Sequence, residues 1–272
     1  MEEKNIKTCI RTDEKEKQLK QIFLNPKQII LPEKFEDPIM VYKIARLAAE
    51  LNLCVEKPIL KLMENTKNEL IKISNEKLFQ EFYIILGTTK PSIFFDTLKE
   101  ANVLDVHFKE IYDLIGALQP IEYHPEGDAY NHTMLALDKA AELTTSLKYR
   151  FCTLVHDLGK GVTPKEEYPH HRNHGINGVP LVENFGKKLG IPYQWVKCGQ
   201  IACKEHMQGG RFYKMNLVEK IEFIKRNTQN ELGIHGLQII VYADKCSRGL
   251  EDSGLFKKFS FENFLKLNTK LN

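Results

Sequence analysis

No stretch of this chain approaches the roughly 18 consecutive apolar residues needed to span a bilayer, and the N-terminus, MEEKNIKTCIRTDEKEKQLK, is charged where a secretory leader would be apolar. Membrane insertion and export are therefore not expected. The six cysteines form no C-x-x-C pair, and a chain of 272 residues can bury enough surface to do without disulfides. They are read as reduced thiols, which places the protein in the cytoplasm. Charge of either sign is not in excess: a net +3 permits an RNA or nucleotide partner without arguing for one. Internal repeats and low-complexity tracts are lacking, so a solenoid or tail-like architecture is excluded.

What is present is helical periodicity. Asp37 is placed to cap a helix that Pro38 opens, with Ile39, Ala45, Leu47, Ala48 and Leu51 at helical spacing. Pro58 opens a second helix, Asn75 precedes a third that buries Leu78, Phe79, Phe82, Ile85 and Leu86, and Pro91 opens a fourth with Phe94, Phe95 and Leu98. Short connections and no strand-like alternation predict an all-α bundle. Gln119–Tyr130, with two prolines and a Gly-Asp pair, reads as a connection to a second helical unit. There the pattern predicts helices over 131–143, 149–158, 175–189, 192–206 and 231–248, with a polar loop over 159–173. The expected organisation is a weakly structured lead-in over 1–35, a neck-like helical unit over 36–118 and a second helical unit over 119–272.

Six of the nine histidines fall between His132 and His206, all near expected helix ends or in that loop. The apolar run RFCTLVHDLGK delivers His156 and Asp157 side by side at a helix end. Polar groups placed there need partners where water is scarce, and a cation would want both. His132 sits at a helix start, so two helices folded back on each other would bring it to His156 and Asp157. Asp244, inside the apolar segment GLQIIVYADKC, is a carboxylate that a cation would also neutralise.

The pattern His132, His156-Asp157, Asp244 resembles the HD superfamily of metal-dependent phosphohydrolases. HPEGDAYNHT (124–133), LVHDLGKGVTP (154–164), HHRNHGINGV (170–179) and YADKCSRG (242–249) are similar to the HD domain of bacterial CCA-adding tRNA nucleotidyltransferases, and FEDPIMVYKIARLAAEL (35–51) to the start of their helical neck. The resemblance implies that His132, His156, Asp157 and Asp244 ligate a divalent metal (Mn, Fe, Ni, Co, Zn or Mg), with His174 and His206 at positions for a second ion. His156, Asp157 and Lys160 become the catalytic candidates. Lys160, Arg248 and His171 become candidates for contact with a substrate phosphate, His170 sharing the loop of His171.

Two departures bear on function. The catalytic head that the resemblance implies would precede the neck, where only residues 1–35 stand, and the nucleotide-selecting Glu-Asp-x-x-Arg keeps Glu36-Asp37 but has Met40 for Arg and Lys43 one turn on. A thioether has no donors to offer a base edge. The expectation is a phosphohydrolase acting on 2′,3′-cyclic phosphates, 2′-nucleotides or other phosphomonoesters. The alternative is an RNA- or tRNA-binding accessory module whose metal is structural.

Overall fold

The structure, a computed structural model, describes residues 32–248. The expected lead-in, except for its last residues, and the stretch beyond Arg248 lie outside the described residues. Twelve α-helices are present among them: α1 (Met40–Leu51), α2 (Lys57–Asn65), α3 (Asn75–Leu86), α4 (Ser92–Glu100), α5 (Leu104–His107), α6 (Lys109–Tyr112), α7 (Ala129–Leu143), α8 (Leu147–Val155), α9 (His174–Leu189), α10 (Tyr193–Gly209), α11 (Leu217–Thr228) and α12 (Gly233–Cys246). Among the described residues there is no strand, only an isolated antiparallel bridge between Leu118 and Asp128. The fold class is all-α, as the periodicity predicts.

Packing explains the order. In the first half α1 lies against α3 and α4, burying Val41, Tyr42, Ile44, Ala45, Leu47 and Ala48. Arg46, buried on the same helix, donates from Nε to Glu81 Oε2 on α3 (2.6 Å) and from Nη1 to Glu50 Oε1 (2.7 Å). In the second half α7 packs on α8 and α12, α8 on α10, and α10 on α9. An aromatic seam crosses between the halves: Phe82 meets Phe151 and Phe185 edge-on, and Phe108 also reaches Phe185. Arg150 adds a polar tie from α8, donating to the carbonyls of Leu86, Thr88, Ala141 and Thr144 over 2.7–2.9 Å. One side chain thus satisfies carbonyls that the C-termini of α3 and α7 leave open.

Several boundaries differ from the periodicity. The helix expected over 149–158 stops at Val155, and Asp157 turns the chain (φ −112°, ψ 10°) into a 3-10 turn over Leu158–Val162. Helices are tightened this way when terminal carbonyls must find partners within three residues. The polar loop expected over 159–173 therefore holds that turn and another at Lys165–Glu167. Asp37 begins a turn rather than capping α1, since the chain is helical only from Met40. Helix α7 begins two residues earlier than expected, with Asp128 as its cap, and α12 is shorter at both ends. Helix α11 was not foreseen; its Asn216 and Glu219 form a reciprocal capping box, a signal that the sequence does carry.

Candidate metal centre

Four helix ends and one corner converge on Asp157. His132 comes from the first turn of α7, His156 and Asp157 from the corner after α8, His174 from the start of α9, His206 from the last turns of α10 and Asp244 from those of α12. The connection between α7 and α8 is only Thr144, Thr145 and Ser146, so the two helices fold back on each other and bring the His132 and His156 rings to 5.7 Å. Helices α9 and α10 can approach because Gly175 has no side chain: a Cβ there would lie 2.6 Å from the Cys203 carbonyl oxygen.

The two oxygens of Asp157 face different neighbours. Oδ2 lies 3.3 Å from His156 Nε2, 3.6 Å from His132 Nε2 and 2.6 Å from Lys160 Nζ. Oδ1 lies 3.2 Å from His174 Nε2 and 3.3 Å from His206 Nε2, and those two nitrogens are 3.3 Å apart. Asp244 Oδ1 lies 3.1 Å from His132 Nε2. All six side chains are buried.

Each of the four imidazoles has its other nitrogen committed. His156 Nδ1 donates to Thr153 O (2.6 Å), His174 Nδ1 to His171 O (2.8 Å), and His206 Nδ1 to Ala202 O and Cys203 O (3.0 and 2.9 Å). His132 Nδ1 faces Glu126 Oε1 at 2.7 Å and Ser247 Oγ at 3.0 Å, the Ser247 hydroxyl itself donating to Asp244 O. An imidazole that donates from Nδ1 carries its lone pair on Nε2 when neutral. Four Nε2 atoms thus point at a carboxylate, although His132 Nε2, His156 Nε2 and Asp157 Oδ1 are buried without a hydrogen-bond partner. Lone pairs gathered this way repel unless a positive charge sits among them, and outer acceptors on Nδ1 are what metal-binding histidines use. The donor set fits a divalent cation of the borderline kind.

Charges already on the chain hold both carboxylates ionised. Burial pushes the Asp157 carboxyl up, but His156 and Lys160 outweigh it and hold the group well below the usual carboxylate range. For Asp244 burial is likewise overcome, here by Arg248 and Lys245. Burial pushes His156 down, yet Asp157 and Asp244 hold it above its ordinary value. At His206 burial wins and the shift is downward.

Of the residues proposed for phosphate, Lys160 is buried and donates to Gln119 Oε1 as well as pairing with Asp157. Arg248 donates from Nη2 to Asp244 Oδ1 at 2.7 Å, while its Nε has no partner. His171, buried in the left-handed region at φ 45°, donates from Nε2 to Leu118 O and leaves Nδ1 unpartnered; His170 is exposed. Gln119, Glu126 and Ser247, which hold Lys160 and His132, are not among the expected site residues, because partners brought by a loop and a helix end follow no spacing. His124 is buried against His132 at 5.0 Å between rings.

The chain is similar to known proteins over both of its halves. Residues 129–249 match the HD domain family, and residues 52–114 match a family described as the probable RNA and SrmB-binding site of polymerase A. The multifunctional CCA protein of Shewanella denitrificans is 34% identical over 230 residues, covering 80% of this chain and 55% of that protein. That of Vibrio parahaemolyticus is 36% identical over 229 residues with the same coverage, and that of Hahella chejuensis 37% over 182 residues, 65% of this chain and 43% of its own length. The chain thus spans about half the length of the curated relatives it matches. It carries an HD domain, whose families bind divalent metals and share a metal-dependent phosphohydrolase fold, and it is homologous to the CCA proteins across the neck and HD region. No described helix is long and apolar enough to cross a membrane.

Proposed function

We propose, from the premise of an HD domain behind a CCA-type neck, that this protein is a metal-dependent phosphohydrolase acting on 2′,3′-cyclic phosphates, 2′-nucleotides or related phosphomonoesters. The convergence of four imidazole Nε2 atoms on Asp157, each with Nδ1 already engaged, carries the reading. His132, His156, Asp157 and Asp244 would hold one ion, and Asp157 with His174 and His206 a second. We divide the chain into a neck-like unit over 36–118 and an HD unit from 119 onward.

A divalent ion bound there supplies Lewis acidity to a phosphoryl oxygen and makes water a usable nucleophile near neutral pH. The chain's own residues do the rest. Burial of the six side chains excludes bulk water and strengthens every charge interaction at the site. Lys160 and Arg248 set fixed positive charge beside the carboxylates, where a phosphate dianion would meet it. His171 Nδ1, Gln119 Nε2 and Arg248 Nε are further buried polar atoms without a hydrogen-bond partner.

The test is hydrolysis of 2′,3′-cyclic nucleotides, 2′-nucleotides and p-nitrophenyl phosphate by metal-free protein supplied in turn with Mn, Co, Ni, Zn and Mg. Turnover with at least one metal is expected, falling at least ~100-fold in His156→Ala and Asp157→Ala, since loss of an inner ligand should exceed the 10–100-fold cost of losing an outer one. Full activity in either variant would overturn the assignment.

The match over 52–114 favours a second reading, an RNA-binding accessory module in which the ion is structural. It is distinguished by tRNA affinity that falls steeply with salt, without turnover of any ester.

A further inference from the structure

The loop ahead of α7 carries a carboxylate to which the chemistry proposed above assigns no step. Glu126 has a side chain only 5% exposed. Its Oε1 lies 2.7 Å from His132 Nδ1 and 2.8 Å from His124 Nδ1, while its Oε2 is buried without a hydrogen-bond partner. Desolvating a carboxylate in this way is costly, so its retention needs a return elsewhere. An ionised carboxylate only accepts, so both Nδ1 atoms present N–H to it. For His132 that leaves the lone pair of the neutral ring on Nε2, the atom 3.1 Å from Asp244 Oδ1 and 3.6 Å from Asp157 Oδ2.

The loop is built to hold this arrangement. Asp128 caps α7 through Asn131 N (2.9 Å) and accepts from Gly116 N (2.8 Å), Gln119 N donates to Gly127 O, and Asn131 Nδ2 donates to Glu126 O. His124, Glu126 and His132 cannot hold an ion of their own while His132 Nε2 serves the Asp157 centre. That would require both nitrogens of His132 to lose their protons.

We propose that Glu126 is a positioning residue for the metal centre: through His132 Nδ1–H it orients the ring, fixes the tautomer and strengthens Nε2 as a donor to a divalent cation that Glu126 itself does not touch. The inference rests on the metal reading above, and its test separates the two. Metal-free protein is titrated with Co²⁺, following affinity by calorimetry and coordination by visible absorption.

Glu126→Ala should bind Co²⁺ about 10–100-fold more weakly than wild type, the range for loss of an outer partner of a metal-binding histidine. Glu126→Gln, whose amide oxygen still accepts but carries no charge, should fall between the two and fold even if the alanine variant does not. His124→Ala should bind like wild type, because it leaves Glu126 to His132 alone. Wild-type affinity in either Glu126 variant, or an equal loss in His124→Ala, would overturn the proposal. Wild-type affinity in His156→Ala would instead overturn the metal centre on which it depends.

Discussion

At the scale of single residues the centre depends on a position with no side chain. A Cβ at Gly159 would lie 1.9 Å from the His174 carbonyl oxygen and 2.6 Å from Gly178 N, both backbone atoms of α9. Neither can yield without moving the first turn of α9, and with it the imidazole that faces Asp157 Oδ1. Gly159→Ala should therefore destabilise the protein by about 1–3 kcal/mol, as overpacking does, and weaken whichever ion His174 helps to hold. Thermal melts with calorimetric metal titration would check both; unchanged affinity would show that α9 can shift without loss. In the sequence Gly159 is one letter of LVHDLGK, with nothing to mark the contact it permits. The acceptors on Nδ1 are equally hidden: residue types announced the side chains that gather around Asp157, whereas their supports are backbone carbonyls and Glu126, which only the folded chain brings within reach.

Between elements, buried polar ties position helices that periodicity alone leaves loosely related. Arg46 on α1 pairs with Glu81 on α3 at 2.6 Å, with both side chains under 10% exposed. Arg46→Ala removes the charged donors of both ties and should cost about 1.5–3 kcal/mol, whereas joint replacement of Arg46 and Glu81 by Met and Leu should come much closer to wild type. Denaturant melts of the single and double variants decide this; a single variant as stable as the double one would mean that Glu81 is compensated elsewhere. Helices with apolar stripes, such as α3 and α9, were legible because the stripe that identifies them is the one that packs. Helix α11 was not, since Leu217, Val218 and Ile221 on it are exposed and its buried residues are only Phe223, Ile224 and Asn227. The end of α8 was misplaced for a related reason: the apolar run continues through Leu158, which is fully buried in the 3-10 turn rather than in the helix.

For the whole molecule, the side chains around Asp157 come from α7, α9, α10 and α12 and the corner after α8, so a cation bound among them would cross-link most of the second half. That half is joined to the first by the Phe82–Phe151–Phe185 seam and by Arg150, so its tightening should be felt by both. Binding to the folded state alone stabilises by RT ln(1 + [L]/Kd), about 2.7 kcal/mol at one hundred times Kd. For a chain of this size that corresponds to a rise in melting temperature of roughly 5 °C. Metal-free protein titrated with Mn²⁺ or Zn²⁺ should show this rise in one cooperative transition, and a chelator should reverse it. In Asp157→Ala the rise should vanish, because that carboxylate is the group all four Nε2 atoms share. A melting temperature indifferent to cation and chelator in the wild type would mean that the buried histidines are held by protons alone.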